Sequence, residues 1–109
     1  MNRKGRVFNN GRFAGIIEES ESGYSFRYDV GFLADQESRP ICVGMPKRIA
    51  AYNSEYLFPF FHGLLAEGVT SNIQCRQLKI DENDYFGRLL KTGAGDIIGS
   101  ITVEEVVEK

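Results

Sequence analysis

Residues 58–68 read Phe58-Pro59-Phe60-Phe61-His62-Gly63-Leu64-Leu65-Ala66-Glu67-Gly68 and hold the single histidine of the 109-residue chain. Imidazole titrates near neutral pH and is a common metal ligand, so His62 is the first residue to test for acid–base or metal chemistry. Such chemistry needs companions at suitable spacing. No second histidine exists, and Cys42 and Cys75 fit neither a zinc knuckle nor a disulfide framework. The expectation is a surface or rim histidine, no metal, and two reduced thiols filling apolar space.

A second candidate is Gly93-Ala94-Gly95-Asp96-Ile97-Ile98-Gly99. A dinucleotide fingerprint needs Gly-x-Gly-x-x-Gly between a strand and a helix, whereas here Ile98 falls on the third glycine position and the order of elements is reversed. Gly93, Gly95, Asp96 and Gly99 are therefore expected to be structural, as a helix stop and a tight entry into a strand. Gly11 and Gly68 are expected to serve as a turn and a helix stop. Carboxylate pairs are no better as catalysts. Glu18 and Glu19 would point to opposite faces of a strand, and Asp81 and Asp84 are accounted for by helix capping. Nothing resembles a nucleophile with an adjacent base, so no enzyme and no cofactor are expected.

The interleaving of Tyr24, Phe26, Arg27 and Tyr28 fits a platform for single-stranded nucleic acid only if the rings are exposed. The same alternation is what a half-buried strand requires, and the core reading is preferred. Arg3, Lys4, Arg6 and Arg12 precede the first acid, Glu18, while Glu104, Glu105 and Glu108 lie near the other end. With a formal net charge of −2, neither end reads as a phosphate site, and both are expected to be solvated surface.

The elements that must position these residues change period halfway along the chain. Arg6 to Phe8 and Phe13 to Ile17 flank Asn9-Asn10-Gly11, a hairpin signal, and Tyr24 to Tyr28 puts three rings on one strand face. Gly31 to Leu33 predicts one helical turn, and Ile41-Cys42-Val43 a short strand stopped near Pro46. Leu57, Phe61, Leu64 and Leu65 follow a helical stripe with Asn53 or Ser54 as a possible cap; alternatively the regular helix starts at Pro59 and ends at Gly68. A short segment capped by Thr70 or Ser71 runs to about Leu78. Asp81 to Lys91 predicts a helix with acids in its first turn, a buried stripe of Phe86, Leu89 and Leu90, and Gly93 at its end. Gly99 to Val103 predicts a final strand before an acidic tail. Composition, 42% hydrophobic and 26% charged, is that of a globular domain, taken as one unit over 1–109. No apolar run suits a membrane span or signal peptide, so a cytoplasmic protein is expected.

The order Gly11-Arg12-x-Ala14-Gly15, Tyr24-x-Phe26-x-Tyr28-Asp29, Pro40-Ile41 with Pro46, Phe60-Phe61-x-x-Leu64-Leu65-Ala66-Glu67-Gly68, Phe86-x-x-Leu89-Leu90 and Gly95-Asp96-x-x-Gly99 resembles the N-terminal subdomain of HipA-family toxin Ser/Thr kinases. It departs from that pattern at Ala66, where proline is usual, and at Ser100, where alanine is common. The family's ATP-binding and catalytic elements lie beyond this subdomain, so the resemblance carries over no catalytic residue. It implies a HipS-like antitoxin subunit that docks on and restrains a HipT-like kinase, in company with a HipB-like helix-turn-helix protein. A subunit that completes the kinase fold is the first alternative, and a small nucleic-acid-binding β-barrel the second. Tyr56, Phe58, Phe60, Phe61, Leu64, Leu65 and Glu67 are the expected partner-binding residues, because they hold more apolar surface than one small sheet needs. The expected fold is α+β, a small antiparallel sheet or partly open barrel of about five strands packed with about two to three helices.

Overall fold

The computed structural model describes residues 3–65, 73, 75–77, 79–92 and 100–106. Strands β1 (Lys4–Asn9), β2 (Arg12–Ser20), β3 (Gly23–Tyr28), β4 (Tyr52–Ser54) and β5 (Ile101–Val106) form one antiparallel sheet in the order β4-β3-β2-β1-β5. Helices α1 (Val30–Ala34), α2 (Pro59–His62) and α3 (Tyr85–Thr92) accompany it, and Ile73 and residues 75–77 are helical too. The α+β class and the five-stranded sheet are as expected, and the sheet is open, with β4 and β5 at its edges.

The first hairpin follows from its turn chemistry. Asn9 pairs with Arg12, and Asn10 and Gly11 between them have φ of 52° and 80°. A two-residue loop with both central residues at positive φ matches the right-handed twist of the strands it joins. Val7 then pairs with Gly15 but Phe8 with Phe13, which leaves Ala14 as an extra, bulged residue. Its carbonyl accepts the Asp29 N–H at 2.7 Å, and the Asp29 carboxylate caps α1 by accepting from the Phe32 N–H at 3.2 Å.

Alternation along the strands sends Val7, Ile17, Phe26, Ile101 and Val103 to the covered face, together with Tyr28. The three rings of β3 each meet an aromatic of a different helix. Tyr24 packs on Phe86 of α3 at 5.6 Å between centroids, Phe26 on Phe61 of α2 at 5.8 Å, and Tyr28 on Phe32 of α1 at 5.7 Å. Tyr28 also anchors the long connection from α1 to β4. Its hydroxyl donates to the Met45 carbonyl and accepts from the Ile41 N–H at 3.1 Å, and burial pushes its pKa up to about 12, so the donor proton stays in place.

That anchorage explains one departure from expectation. Residues 41–43 are not a strand: Ile41 turns inward to the core, Val43 is 99% exposed, and the Met45 N–H closes a turn on the Cys42 carbonyl at 3.3 Å. Tyr28 and the flanking Pro40 and Pro46 leave no ladder for these residues to join. Asn53 and Ser54 likewise do not cap a helix. They pair with Ser25 and Tyr24 as edge strand β4, and α2 begins at Pro59, the alternative start. Helix α3 begins at Tyr85 rather than Asp81. Asp81 is occupied in a turn, accepting from the Asn83 N–H at 2.8 Å, and Asp84 takes the cap position by accepting from the Gly87 N–H at 3.1 Å. The buried stripe of α3, Phe86, Leu89 and Leu90, is as expected.

The described charged residues of the two ends lie at the surface, as expected, and Arg3, Lys4, Arg6 and Glu104 are paired there. Arg3 forms two forked pairs, with Nε and Nη2 at 2.8 Å from the Glu19 carboxylate and Nη1 and Nη2 at 2.8 and 2.9 Å from that of Asp84. Its guanidinium also lies over Phe86, 5.5 Å from the ring centroid. Lys4 meets Glu18, Arg6 meets Glu104 and Lys91 meets Glu105, at 3.8, 3.6 and 2.6 Å. Glu104 and Glu105 thus belong to β5, beside the cations of β1 and α3, rather than to a tail.

The Asp84 carboxyl is held below its ordinary value of 3.8, first by hydrogen bonds from Arg3. A lowered native pKa stabilises the fold above the unfolded value, and the contribution is lost as pH falls through the native one. Stability is therefore expected to decline below about pH 4. Arg3→Met should flatten that acid limb in thermal melts. It should leave the part owed to Asp35, whose pKa is lowered first by the Glu37 N–H and then by Arg12.

Candidate protein interaction surface

The segment 56–65 is shaped by Pro59. With proline at the first helical position the chain enters α2 without needing that N–H, and the His62 and Gly63 N–H groups bond the Phe58 and Pro59 carbonyls at 3.0 and 2.9 Å. The next two bonds, Leu64 to Phe61 and Leu65 to His62, span one residue fewer. The regular helix accordingly stops at His62, short of the stripe's last members, and tightens into a turn.

This geometry divides the expected partner-binding residues into layers. Phe58, Phe61 and Leu65 are buried, and Phe61 is fully enclosed, in ring contact with Phe26, Phe58 and Phe60 at 5.8, 6.2 and 5.3 Å. Phe60 and Leu64, with Leu57, are half-buried against that core. Tyr56 is 77% exposed. Glu67, Gly68, Gly93, Gly95, Asp96 and Gly99 lie outside the described residues.

His62 is exposed, as expected of a rim residue, and its ring meets Tyr85 of α3 edge-on at 4.8 Å. Arg88 lies over the other ring of that pair, 5.9 Å from the Tyr85 centroid. Among the described residues no group of three or more His, Cys, Asp or Glu could hold a metal ion, and both Cys42 and Cys75 are free thiols. Tyr85, 40% exposed beside His62, extends the aromatic rim across the α2–α3 seam. Its position between Asp84 and the Phe86 stripe held no hint of that, because the seam forms only when the two helices pack.

The arrangement does not suit base stacking. Phe26 and Tyr28 are buried, Tyr24 is packed on Phe86, and Arg3, Lys4, Arg6 and Arg12 are all paired with carboxylates. A stacking platform would need open rings and cations free to meet phosphate.

The family model described as HipA N-terminal domain matches residues 5–104. The chain belongs to this family. An uncharacterized protein of Haemophilus influenzae is 31% identical over 103 residues, covering 94% of this chain and 92% of that one. Y4mE of Sinorhizobium fredii, a protein whose name proposes a kinase, is 29% identical over 100 residues, covering 88% of this chain but 24% of the relative. A solved structure of the N-terminal domain of HipA toxin superimposes with a TM-score of 0.75 at 28% identity, covering 98% of this chain and 95% of that one. The likeness is to the HipA N-terminal domain and not to a kinase catalytic domain. Among the described residues no helix is long and apolar enough to cross a membrane.

The layering sets different costs for neighbouring substitutions. Phe61→Ala should destabilise the fold by about 3–5 kcal/mol through the cavity it leaves. Tyr56→Ala should change stability by less than about 0.5 kcal/mol. Urea unfolding of the two variants checks both values.

Proposed function

We propose that the protein is a non-catalytic interaction module of a HipA-like toxin–antitoxin system, a HipS-like antitoxin that docks on and restrains a separate HipT-like Ser/Thr kinase. The supporting observation is how the relatives are covered. This chain matches only 24% of the kinase-named relative, yet 92% of the Haemophilus relative. A HipA N-terminal domain thus occurs both within a longer protein and as nearly the whole of a short one. When such a domain works as its own chain, a face that would pack against the remainder of a longer chain becomes an intermolecular interface. A HipB-like helix-turn-helix protein would complete the system.

The docking face we assign is the outer layer of the 56–65 segment, Tyr56, Phe60 and Leu64, backed by Phe58, Phe61 and Leu65, with Glu67 as a further contact. The buried layer gives this outer layer, of which Phe60 and Leu64 are half-buried, a rigid base, so little side-chain freedom is lost on binding. Seated beside the kinase active site, the module would block substrate access or the mobile elements needed for phosphoryl transfer.

The test is a phosphorylation assay with a purified HipT-like kinase from the same genome, should one be encoded there. Adding the protein should lower phosphorylation, and Tyr56→Asp with Leu64→Asp should weaken binding by about tenfold or more. A rise in kinase activity would make it a subunit that completes the kinase fold. Absence of both binding and any change in phosphorylation would overturn the proposal.

A further inference from the structure

The connection from α1 to β4 holds neither helix nor strand over residues 35–51, an unusual stretch of irregular chain for a compact domain. Among the described residues, the backbone–backbone bonds of 36–51 are local. The Ser38 N–H meets the Asp35 carbonyl at 3.1 Å and the Met45 N–H that of Cys42 at 3.3 Å, and none reaches a strand of the sheet. Side chains fasten the segment instead, in two separate ways.

The first ties the segment to itself. Lys47 Nζ donates to the Asp35 carbonyl at 2.9 Å and to the Ser38 carbonyl and hydroxyl at 3.1 and 2.7 Å, so both ends of the chain 39–46 meet at one ammonium. That closes 39–46 into a compact loop of the Ω type. The second ties the loop to the sheet. The Tyr28 hydroxyl donates to the Met45 carbonyl and accepts from the Ile41 N–H, and the Ile41 and Met45 side chains are buried, with Cys42 packed beside them. Beyond this catch the hold is slight. The Tyr52 hydroxyl reaches the Pro46 carbonyl at an exposed position, Val43 projects into solvent, and a Cβ on Gly44 would meet nothing within 4 Å. Arg39, Pro40 and Ile41 also border an open cleft of about 550 Å³, lined as well by Asn9, Asn10 and Arg12.

We propose that residues 39–46 form a latch that opens as one unit while the sheet stays intact, with Tyr28 as its catch and the Lys47 clip holding its ends together. Few buried apolar side chains and few backbone hydrogen bonds to the body place a segment at the low end of opening free energies. Opening would release Ile41 and Met45 from the core and bare the Tyr28 phenol, which is 2% exposed when the latch is closed. A ligand or partner that favours one form would shift the latch by its differential affinity for the two.

The experiment is native-state amide hydrogen exchange of the full chain, followed by NMR at several urea concentrations below the unfolding transition. The Ile41 and Met45 amides should share one opening free energy, clearly lower than that of the β1–β2 amides, with a weaker dependence on urea. Tyr28→Phe keeps the ring and removes only the hydroxyl, and should speed exchange at Ile41 and Met45 by about tenfold or more. Val103→Ala, in β5 on the far side of β1 and β2 from β3, should speed exchange of the β1–β2 amides and leave Ile41 and Met45 unchanged. Exchange of Ile41 and Met45 only together with the β1–β2 amides, unrelated opening free energies at the two positions, or no effect of Tyr28→Phe would overturn the proposal.

Discussion

The rest of the fold depends on the inward row of strand β3. Tyr24, Phe26 and Tyr28 stand two residues apart on one face, and each is met by one aromatic from α3, α2 or α1 respectively. Three helices, all too short to persist alone, are thereby attached to one rigid element. The partner strand fits this row, with Gly15 opposite Tyr28, Ile17 opposite Phe26 and Glu19 opposite Tyr24. Gly15 cannot be enlarged, since a Cβ there would lie 2.3 Å from the Arg27 carbonyl oxygen. A one-residue slip of β3 would turn all three rings away from the helices at once.

At the Tyr24 end the row merges with an electrostatic clamp. Arg3 joins Glu19 of β2 to Asp84, the residue capping α3, so one side chain links the sheet to the start of the helix that covers it. Its pKa is raised first by hydrogen bonding to Glu19 and then to Asp84. Gly87 allows the close approach, because a Cβ there would be 2.3 Å from Asp84 Oδ2 and 2.9 Å from Arg3 Nη1. The three side chains are each about a third exposed, so solvent screens the clamp, and its main effect is to orient. Of the cations near the start of the chain, Arg6 pairs across strands with Glu104 of β5, whereas Arg3 and Lys4 meet Glu19 and Glu18 of β2.

Membership of the HipA N-terminal domain family places the protein among relatives that include a kinase-named one, while the fold itself binds its most aromatic segment into its own core. Phe58, Phe61 and Leu65 stabilise the domain first. What they leave at the surface is an outer layer and the His62–Tyr85 rim. A small sheet covered on one face has room for few large side chains, and which of them it admits depends on where the helices end.

The sequence by itself determined the elements whose cause is local. The Asn10-Gly11 turn needs two residues tolerant of positive φ, the β3 row needs alternation, and the α3 stripe needs helical spacing, all visible in consecutive residues. The family order of short motifs was legible for the same reason, because those within the described residues mark a turn, a strand or a helix face. Only the tertiary structure decided the fate of Ile41 to Val43, drawn into a turn by the phenol of Tyr28, and of Asn53 and Ser54, taken as an edge strand by β3. It also decided which members of the aromatic segment are surface. Exposure is set by what packs against a side chain, and those neighbours come from parts of the chain that local spacing does not bring together.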